Sequence, residues 1–372
     1  MTYFVERVVP DFLPMERAYG IYVSYNALSR EQQRIGNRVE IHYRTYGALS
    51  GEGSGRDVID GLLCYSHSVT RPTSLRFAAR VAKELGASDS DVIHSHTRFA
   101  LPLVLMGLKK PHVVHLHGLP YYATEQGLGH KRYDYEAYLH MQFLLRKADM
   151  VVCYCDSLAR RVAQIFRLDP SRIRVVYNGV DTRLMSRPGF DLRTRFSLDD
   201  RPIAVFAGRA EPIKGPVEFV KACRLARQRM PELVPVVIGS GWDAFLRRVG
   251  SCDEFVEIPH VAHIDMGGVY RSCDVHVALT KVYGHQKTVL EAAACGVPVV
   301  ATDNRDNRAV CDHCAIYVDP SDTDDVARGI VRSINEGPTR RDLSRNSRIA
   351  AATYSWRRSA ETIQKIYNHL LA

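Results

Sequence analysis

Ile203-Ala204-Val205-Phe206-Ala207-Gly208-Arg209-Ala210-Glu211-Pro212-Ile213-Lys214-Gly215-Pro216 opens the second half of the chain. Five apolar residues stop at a glycine, and a loop with two cations follows. An apolar run this short, rich in Val, Ile and Phe, reads as a buried strand. The next residues, Pro216 to Arg229, space their apolar positions as a helix does. Strand, glycine loop and helix together make the first unit of a parallel α/β sheet. Downstream the pattern repeats, with strands predicted at 234–238, 255–258, 275–279, 297–301 and 315–318, and helices at 288–294 and 324–335. Upstream it is present as well. Strands are predicted at 4–9, 39–43, 62–66, 92–96, 113–117, 150–154 and 173–177, with helices at 21–35, 75–85 and 158–166 between them. The fold class is therefore α/β with two Rossmann-like domains. The irregular stretch 186–202, with Pro188, Gly189 and Pro202, reads as the linker between domains at 1–185 and 203–354. In the last segment Trp356, Ala360, Ile363, Tyr367 and Leu370 fall on one helical face that needs a surface to cover it.

A chain of 372 residues suits two domains of about 150–200 each. It contains no run of about 18 apolar residues and no basic-then-apolar leader, so the expectation is a cytoplasmic protein. Its nine cysteines lack a regular framework and read as reduced thiols. The formal charge of +9 favours anionic company: nucleotide phosphates, a phosphorylated acceptor, or peripheral contact with an anionic inner membrane face. Arginines cluster at Arg160–Arg161 and at Arg340, Arg341, Arg345 and Arg348. None is interleaved with aromatics, so nucleic acid is not an expected partner.

In open α/β sheets, ligands collect outside the carboxyl ends of the strands. Three motifs lie there. In the first, Gly208 lets backbone approach a ligand, while Arg209 and Lys214 on one loop can clamp a diphosphate, one as a fork and the other as a point charge. The second runs Tyr283-Gly284-His285-Gln286-Lys287-Thr288-Val289-Leu290-Glu291. Here a glycine loop leads into a helix whose first amides, near Lys287 and Thr288, point at a phosphate, with Glu291 one turn inside to accept from a ribose diol. The third pairs His117-Gly118 with Ser95-His96 at adjacent strand ends, where an imidazole can bond a sugar hydroxyl or phosphate. No metal is expected. Asp89-Ser90-Asp91 precedes a strand, Asp322-Thr323-Asp324 caps a helix, and Cys311-Asp312-His313-Cys314 with His260 and His263 would have to converge to hold zinc.

These pieces, with His94-Ser95-His96, Ala148-Asp149-Met150-Val151-Val152, Tyr177-Asn178-Gly179-Val180-Asp181, Tyr270-Arg271-Ser272-Cys273-Asp274-Val275 and Glu291 through Thr302, occur in the order in which glycosyltransferase family 4 has them. The chain resembles that family, retaining enzymes of the GT-B fold, over nearly its whole length. The resemblance implies two Rossmann-like domains facing a cleft, and a nucleotide-sugar donor, UDP-linked before GDP-linked, held mainly by the second domain. It implies no cofactor, and an acceptor that is a glycan, a lipid-linked sugar or a small molecule. Arg209 and Lys214 would neutralise the donor diphosphate, Glu291 would hold the ribose, Gly284–Thr288 would touch sugar and phosphates, and His117 would lie beside the transferred sugar. Ser355-Trp356 implies a last helix that crosses back onto the first domain. Two positions depart from the pattern. Tyr283 stands eight before Glu291, where the family has a glutamate on the sugar hydroxyls, which leaves His285, Gln286 and Lys287 to take its part. The glycine-rich loop after the first strand keeps only Gly20, so the acceptor side is reshaped around Arg17 and Tyr19, with His96 and Asn178 as further contacts. The alternatives on the same architecture are an epimerase, a phosphorylase or a catalytically weak partner protein.

Overall fold

The structure is a computed structural model that describes residues 1–10, 12–15, 20–46, 55–69, 75–96, 109–119, 131–281, 284, 287–335 and 337–372. Its strands are β1 (Phe4–Val8), β2 (Arg38–Tyr46), β3 (Gly55–Ile59), β4 (Leu62–Val69), β5 (Val92–His96), β6 (His112–Leu116), β7 (Met150–Cys153), β8 (Ile173–Val175), β9 (Ile203–Ala207), β10 (Val234–Ile238), β11 (Val256–Ile258), β12 (Val275–Ala278), β13 (Val299–Thr302) and β14 (Ala315–Val318). Its helices are α1 (Ile21–Arg34), α2 (Leu75–Ala87), α3 (Lys131–Lys147), α4 (Asp156–Phe166), α5 (Thr182–Ser186), α6 (Leu192–Phe196), α7 (Pro216–Arg227), α8 (Trp242–Val249), α9 (Met266–Arg271), α10 (Lys287–Ala294), α11 (Arg305–Cys311), α12 (Thr323–Asn335), α13 (Gly337–Thr353) and α14 (Trp356–Leu370).

The chain divides into two compact units, Met1–Asn178 with Trp356–Ala372, and Gly179–Ser355. The first holds a sheet ordered β3-β4-β2-β1-β5-β6-β7-β8, parallel except for β3. Strand β3 escapes a reading of apolar runs because it is an exposed edge strand, Gly-Arg-Asp-Val-Ile. Its signal is the turn instead. Asp60 and Gly61 both take positive φ, 51° and 79°, as a two-residue hairpin loop requires. The last helix covers this sheet: Trp356, Ala360, Ile363, Ile366 and Tyr367 are buried with Val5, Val92, Val113 and Val152. Burying an apolar side chain of this size contributes about 1.5–3 kcal/mol, so this docking ties the chain's end firmly to the first unit.

The second unit's sheet runs β11-β10-β9-β12-β13-β14, all parallel. Its strands β9, β10, β12 and β13 are buried throughout, as sheets covered on both faces require. Phe206, Phe219, Trp242, Phe245 and Phe255 pack at the centre of one core cluster.

Two sequence readings need correction. Residues 186–202 are not a free linker but part of the second unit. Arg193 pairs with Asp274 at 2.8 Å, and the Leu192 amide donates to Ser272 Oγ at 3.0 Å. Nor are all the cysteines separate thiols. A turn in which the Cys314 amide donates to the Cys311 carbonyl brings the two Cα atoms to 5.1 Å, and their sulfurs form a disulfide.

Candidate functional site

In the second sheet the strand order reverses between β9 and β12, and the loops leaving these neighbours run side by side. Such a switch point is where open α/β sheets bind ligands. The Lys281 amide donates to the Ile213 carbonyl at 2.9 Å, joining the two loops. Gly215 takes φ +77°, and a Cβ there would lie 2.7 Å from the Leu279 carbonyl oxygen. The loop base is equally constrained. The Gly208 amide donates to Ile238 at 2.8 Å, its carbonyl accepts from Trp242 Nε1 at 2.8 Å, and Gly239 lies so close behind that a Cβ would come within 2.7 Å of the Gly208 oxygen.

Three cations gather on this base. Arg209 pairs with Glu211 at 2.8 Å yet remains 66 % exposed, so the pair adds little stability and leaves the guanidinium available. Lys214 is half-buried. Burial lowers its pKa, Glu211 partly restores it, and Arg209 lowers it again. Lys287 opens α10. Burial and repulsion from Lys214, against attraction from Glu291, push its ammonium down to about 8. Like charges that repel across a half-buried space are a place for an anion. Around them, the hydroxyls of Thr280 and Thr288 are buried without a hydrogen-bond partner among the described residues. The α10 amides are directed as helix starts direct them, toward negative charge.

One turn into α10, Glu291 is 8 % exposed. It accepts from the Tyr270 hydroxyl at 3.2 Å and lies 3.8 Å from His263 Nδ1. Burial and Glu291 hold the Tyr270 phenol well above its usual pKa, so it stays a donor. The Gly284 amide donates to Asp306 Oδ2 at 2.7 Å, which pins the loop before α10 to α11. Sequence reading missed Asp306, Tyr270 and His263. Tyr270 stood in one of the ordered motif pieces but without a role, and the spacing of His263 from His260 pointed to a metal rather than to Glu291.

In the first unit, Arg7 is fully buried on β1. Its Nη1 donates to His96 Nε2 at 3.1 Å, and its Nη2 donates to Gln32 Oε1. A guanidinium only donates, so His96 must accept at Nε2 and carry its proton on Nδ1. That nitrogen lies 2.9 Å from His117 Nε2, which must therefore accept, leaving the proton of neutral His117 on Nδ1. Burial, then Arg7, hold the His96 pKa far below the ordinary value, so His96 stays neutral. His94, His96, His115 and His117 form a stack of imidazoles with centroids 4.6–5.5 Å apart. The signal for Arg7 was a charged pair, Glu6-Arg7, inside an otherwise apolar strand.

Of the expected site residues, the structure brings Gly208, Arg209, Lys214, Gly284, Lys287, Thr288 and Glu291 into the second unit, and His96 and His117 together in the first. Gly20 is exposed at the start of α1, and Asn178 is buried at the end of the first unit's long segment. Arg17, Tyr19, Tyr283, His285 and Gln286 lie outside the described residues.

Two α/β units with largely parallel sheets, one with three cations and a helix start at its switch point, are the architecture of GT-B glycosyltransferases. Comparison with known proteins agrees. Residues 20–184 match the model described as Glycosyltransferase Family 4, and residues 201–336 match that described as Glycosyl transferases group 1. The chain belongs to this glycosyltransferase family. A D-inositol 3-phosphate glycosyltransferase from Stackebrandtia nassauensis is 26 % identical over 95 % of this chain and 83 % of its own length. Another from Paenarthrobacter aurescens is 29 % identical over 62 % of this chain, and the match spans 60 % of that relative. Among solved structures, sucrose-phosphate synthase from Thermosynechococcus elongatus superposes with a TM-score of 0.79 at 16 % identity, covering 99 % of both chains. HepE from Anabaena, in complex with UDP and glucose, gives 0.77 at 17 % identity over 98 % of this chain and 99 % of its own. At such identities these structures speak for the fold alone. Among the described residues, no helix is long and apolar enough to cross a membrane.

Proposed function

We propose that the protein is a retaining glycosyltransferase that takes a sugar from a nucleotide diphosphate donor, UDP-linked in preference to GDP-linked, and places it on a small phosphorylated polyol or sugar. The observation that carries this reading is the mutual repulsion of Arg209, Lys214 and Lys287 around the start of α10. A pyrophosphate would relieve it. The complexes of HepE with UDP-glucose support a uridine donor, and the names of the inositol-phosphate, sucrose-phosphate and trehalose-phosphate relatives support a phosphorylated acceptor.

As the bond from the anomeric carbon to the diphosphate breaks, charge builds on the leaving oxygen. Cations already fixed there stabilise that charge without reorganising, and they supply the neutralisation a metal ion would otherwise give. Glu291, with Tyr270 donating to one of its oxygens, is suited to accept from the ribose diol. In the route proposed, the acceptor hydroxyl attacks on the face the diphosphate leaves, and its proton passes to the departing phosphate oxygen. The configuration at the anomeric carbon is then kept. His117, its tautomer set by Arg7 through His96, is proposed to donate from Nδ1 to the transferred sugar.

A thermal-shift panel of UDP-, GDP- and ADP-sugars tests the donor assignment, since a ligand stabilises the native state by mass action. UDP-sugars should give the largest shift. The double variant Arg209→Ala/Lys214→Ala should stay folded and lose transfer by at least about a hundredfold, the scale of a lost charge stabiliser. Near-normal turnover in that variant would overturn the clamp.

A further inference from the structure

Among the described residues, two groups of three side chains have ligand atoms all within 4.8 Å of one another: His94, His96 and His115, and His42, His67 and Glu84. The first group is a poor home for a cation. Arg7 occupies His96 Nε2 and places a full positive charge beside the ring. The second group differs in charge and in shape. His42 on β2 and His67 on β4 are buried, and Glu84 reaches them from α2, which packs on β4. His42 Nδ1 is 3.3 Å from His67 Nε2, and each lies 3.7 Å from Glu84 Oε2. The two nitrogens are within hydrogen-bond reach of each other and both face the same carboxylate oxygen, so the three atoms ring a common centre. A triangle with sides of 3.3, 3.7 and 3.7 Å has its centre about 2.1 Å from every corner. That matches zinc, which bonds imidazole nitrogen at about 2.0–2.1 Å and carboxylate oxygen at about 2.0–2.2 Å.

A fourth residue completes the pattern. Glu6 on β1 lies 3.5 Å from His42 Nε2, the ring nitrogen facing away from the centre. The other Glu6 oxygen, Oε2, accepts from Ser90 Oγ at 2.5 Å. A carboxylate behind a ligating histidine fixes the tautomer that frees the other nitrogen for a metal. Lys110 acts one step removed, donating to Ser90 Oγ at 2.8 Å. Two carboxylates, one ligating and one behind, thus supply negative charge where the His94 group has a guanidinium.

We propose that His42, His67 and Glu84 bind a zinc ion that staples β2 and β4 to α2, with Glu6 orienting His42 and water taking the remaining position. Two imidazoles and one carboxylate form a borderline-soft set that suits zinc over magnesium or calcium. Sugar transfer does not run through this site.

The test uses the full chain, stripped with a chelator and titrated with zinc chloride in competition with a chromophoric chelator. One equivalent should bind tightly and raise the unfolding midpoint. Cobalt in its place should show the visible ligand-field bands of a four-coordinate site. His67→Gln should abolish tight binding and those bands. Glu6→Gln should weaken affinity about 10–100-fold, the usual effect of losing the carboxylate behind a ligand. Glu84 is 44 % exposed, so Glu84→Gln should fold whatever becomes of His67→Gln; it should also lose the zinc-dependent rise in midpoint while leaving UDP affinity unchanged. Failure of the wild type to bind one equivalent, or equal binding by wild type and Glu84→Gln, would overturn the proposal; the latter would assign the metal to surface histidines such as His313.

Discussion

Raising the pH should weaken donor binding, and Lys287 sets both the range and the size of the effect. Its ammonium, pushed down to about 8 by burial and by Lys214, keeps its proton at neutral pH and loses it as the pH climbs past that value. An unfolded chain holds the same proton to about 10.4. Below pH 8 the charge therefore costs the empty protein stability, and that cost disappears as the pH rises through the interval between the two values. A bound diphosphate reverses the penalty by giving the ammonium a counter-charge, which restores its pKa. If the bound value is near the ordinary one, affinity should fall about thirtyfold, or about 2 kcal/mol, between about pH 7 and about pH 9.5. Lys214, also shifted down, can only steepen the upper end. His263 faces the same space, but burial lowers its pKa, so it has given up its proton below this interval and does not generate the slope. Isothermal titration with UDP in buffers of different ionisation enthalpy reads affinity and proton uptake together. Lys287→Met should bind weakly at neutral pH and show almost no slope. A wild-type affinity constant within about threefold across the interval, or a slope kept by Lys287→Met, would refute the placement of the diphosphate against this lysine.

Asp306→Ala removes the carboxylate that accepts from the Gly284 amide and leaves a buried donor without its partner, at a cost of about 1–3 kcal/mol. Initial rates should show kcat/KM for the donor reduced about tenfold or more. Gly239→Ala sets a methyl 2.7 Å from the Gly208 carbonyl at φ +133°, so urea unfolding should show a loss of at least about 2 kcal/mol. Arg7→Met deletes a buried charge that no carboxylate among the described residues balances, so thermal unfolding should be unchanged or improved. It also frees the tautomers of His96 and His117, and kcat should drop about tenfold with the donor KM little altered.

The strands were legible wherever burial on both faces demanded continuous Val, Ile and Ala, as at Val234–Ile238 and Val299–Thr302. Strand β3 was not, because an edge strand owes its existence to its partner rather than to its own apolar content. The same distinction divides the site. Arg209, Lys214, Lys287 and Glu291 sit at fixed offsets from a glycine or a helix start, so local chain order discloses them. Asp306, Tyr270 and His263 reach the same place from other elements, and nothing near them in sequence reports it. Residues 186–202 looked like a linker because prolines and turns resemble one, yet Arg193 finds Asp274 some eighty residues away. The Cys311–Cys314 disulfide depended on a turn geometry that spacing alone leaves open.

Burial has opposite consequences for the basic groups of the two units, and chemistry explains why. In the first unit it strips the histidines of charge. His96 can remain neutral because imidazole needs only modest desolvation to do so, and Arg7 makes protonation of Nε2 worse still. What remains is a chain of donors and acceptors with one direction, able to present a hydrogen bond without attracting an anion. In the second unit the buried groups are the lysines Lys214 and Lys287, whose ordinary pKa values lie so far above neutrality that the same desolvation leaves them charged at neutral pH. Half-burial there raises the energy of the cations without removing them, and that energy is released when a pyrophosphate arrives. Exchanging the residue types would fail on both sides. Histidines at 214 and 287 would discharge each other and leave nothing for a leaving phosphate, whereas a lysine at 96 would bring a second unbalanced cation up to Arg7.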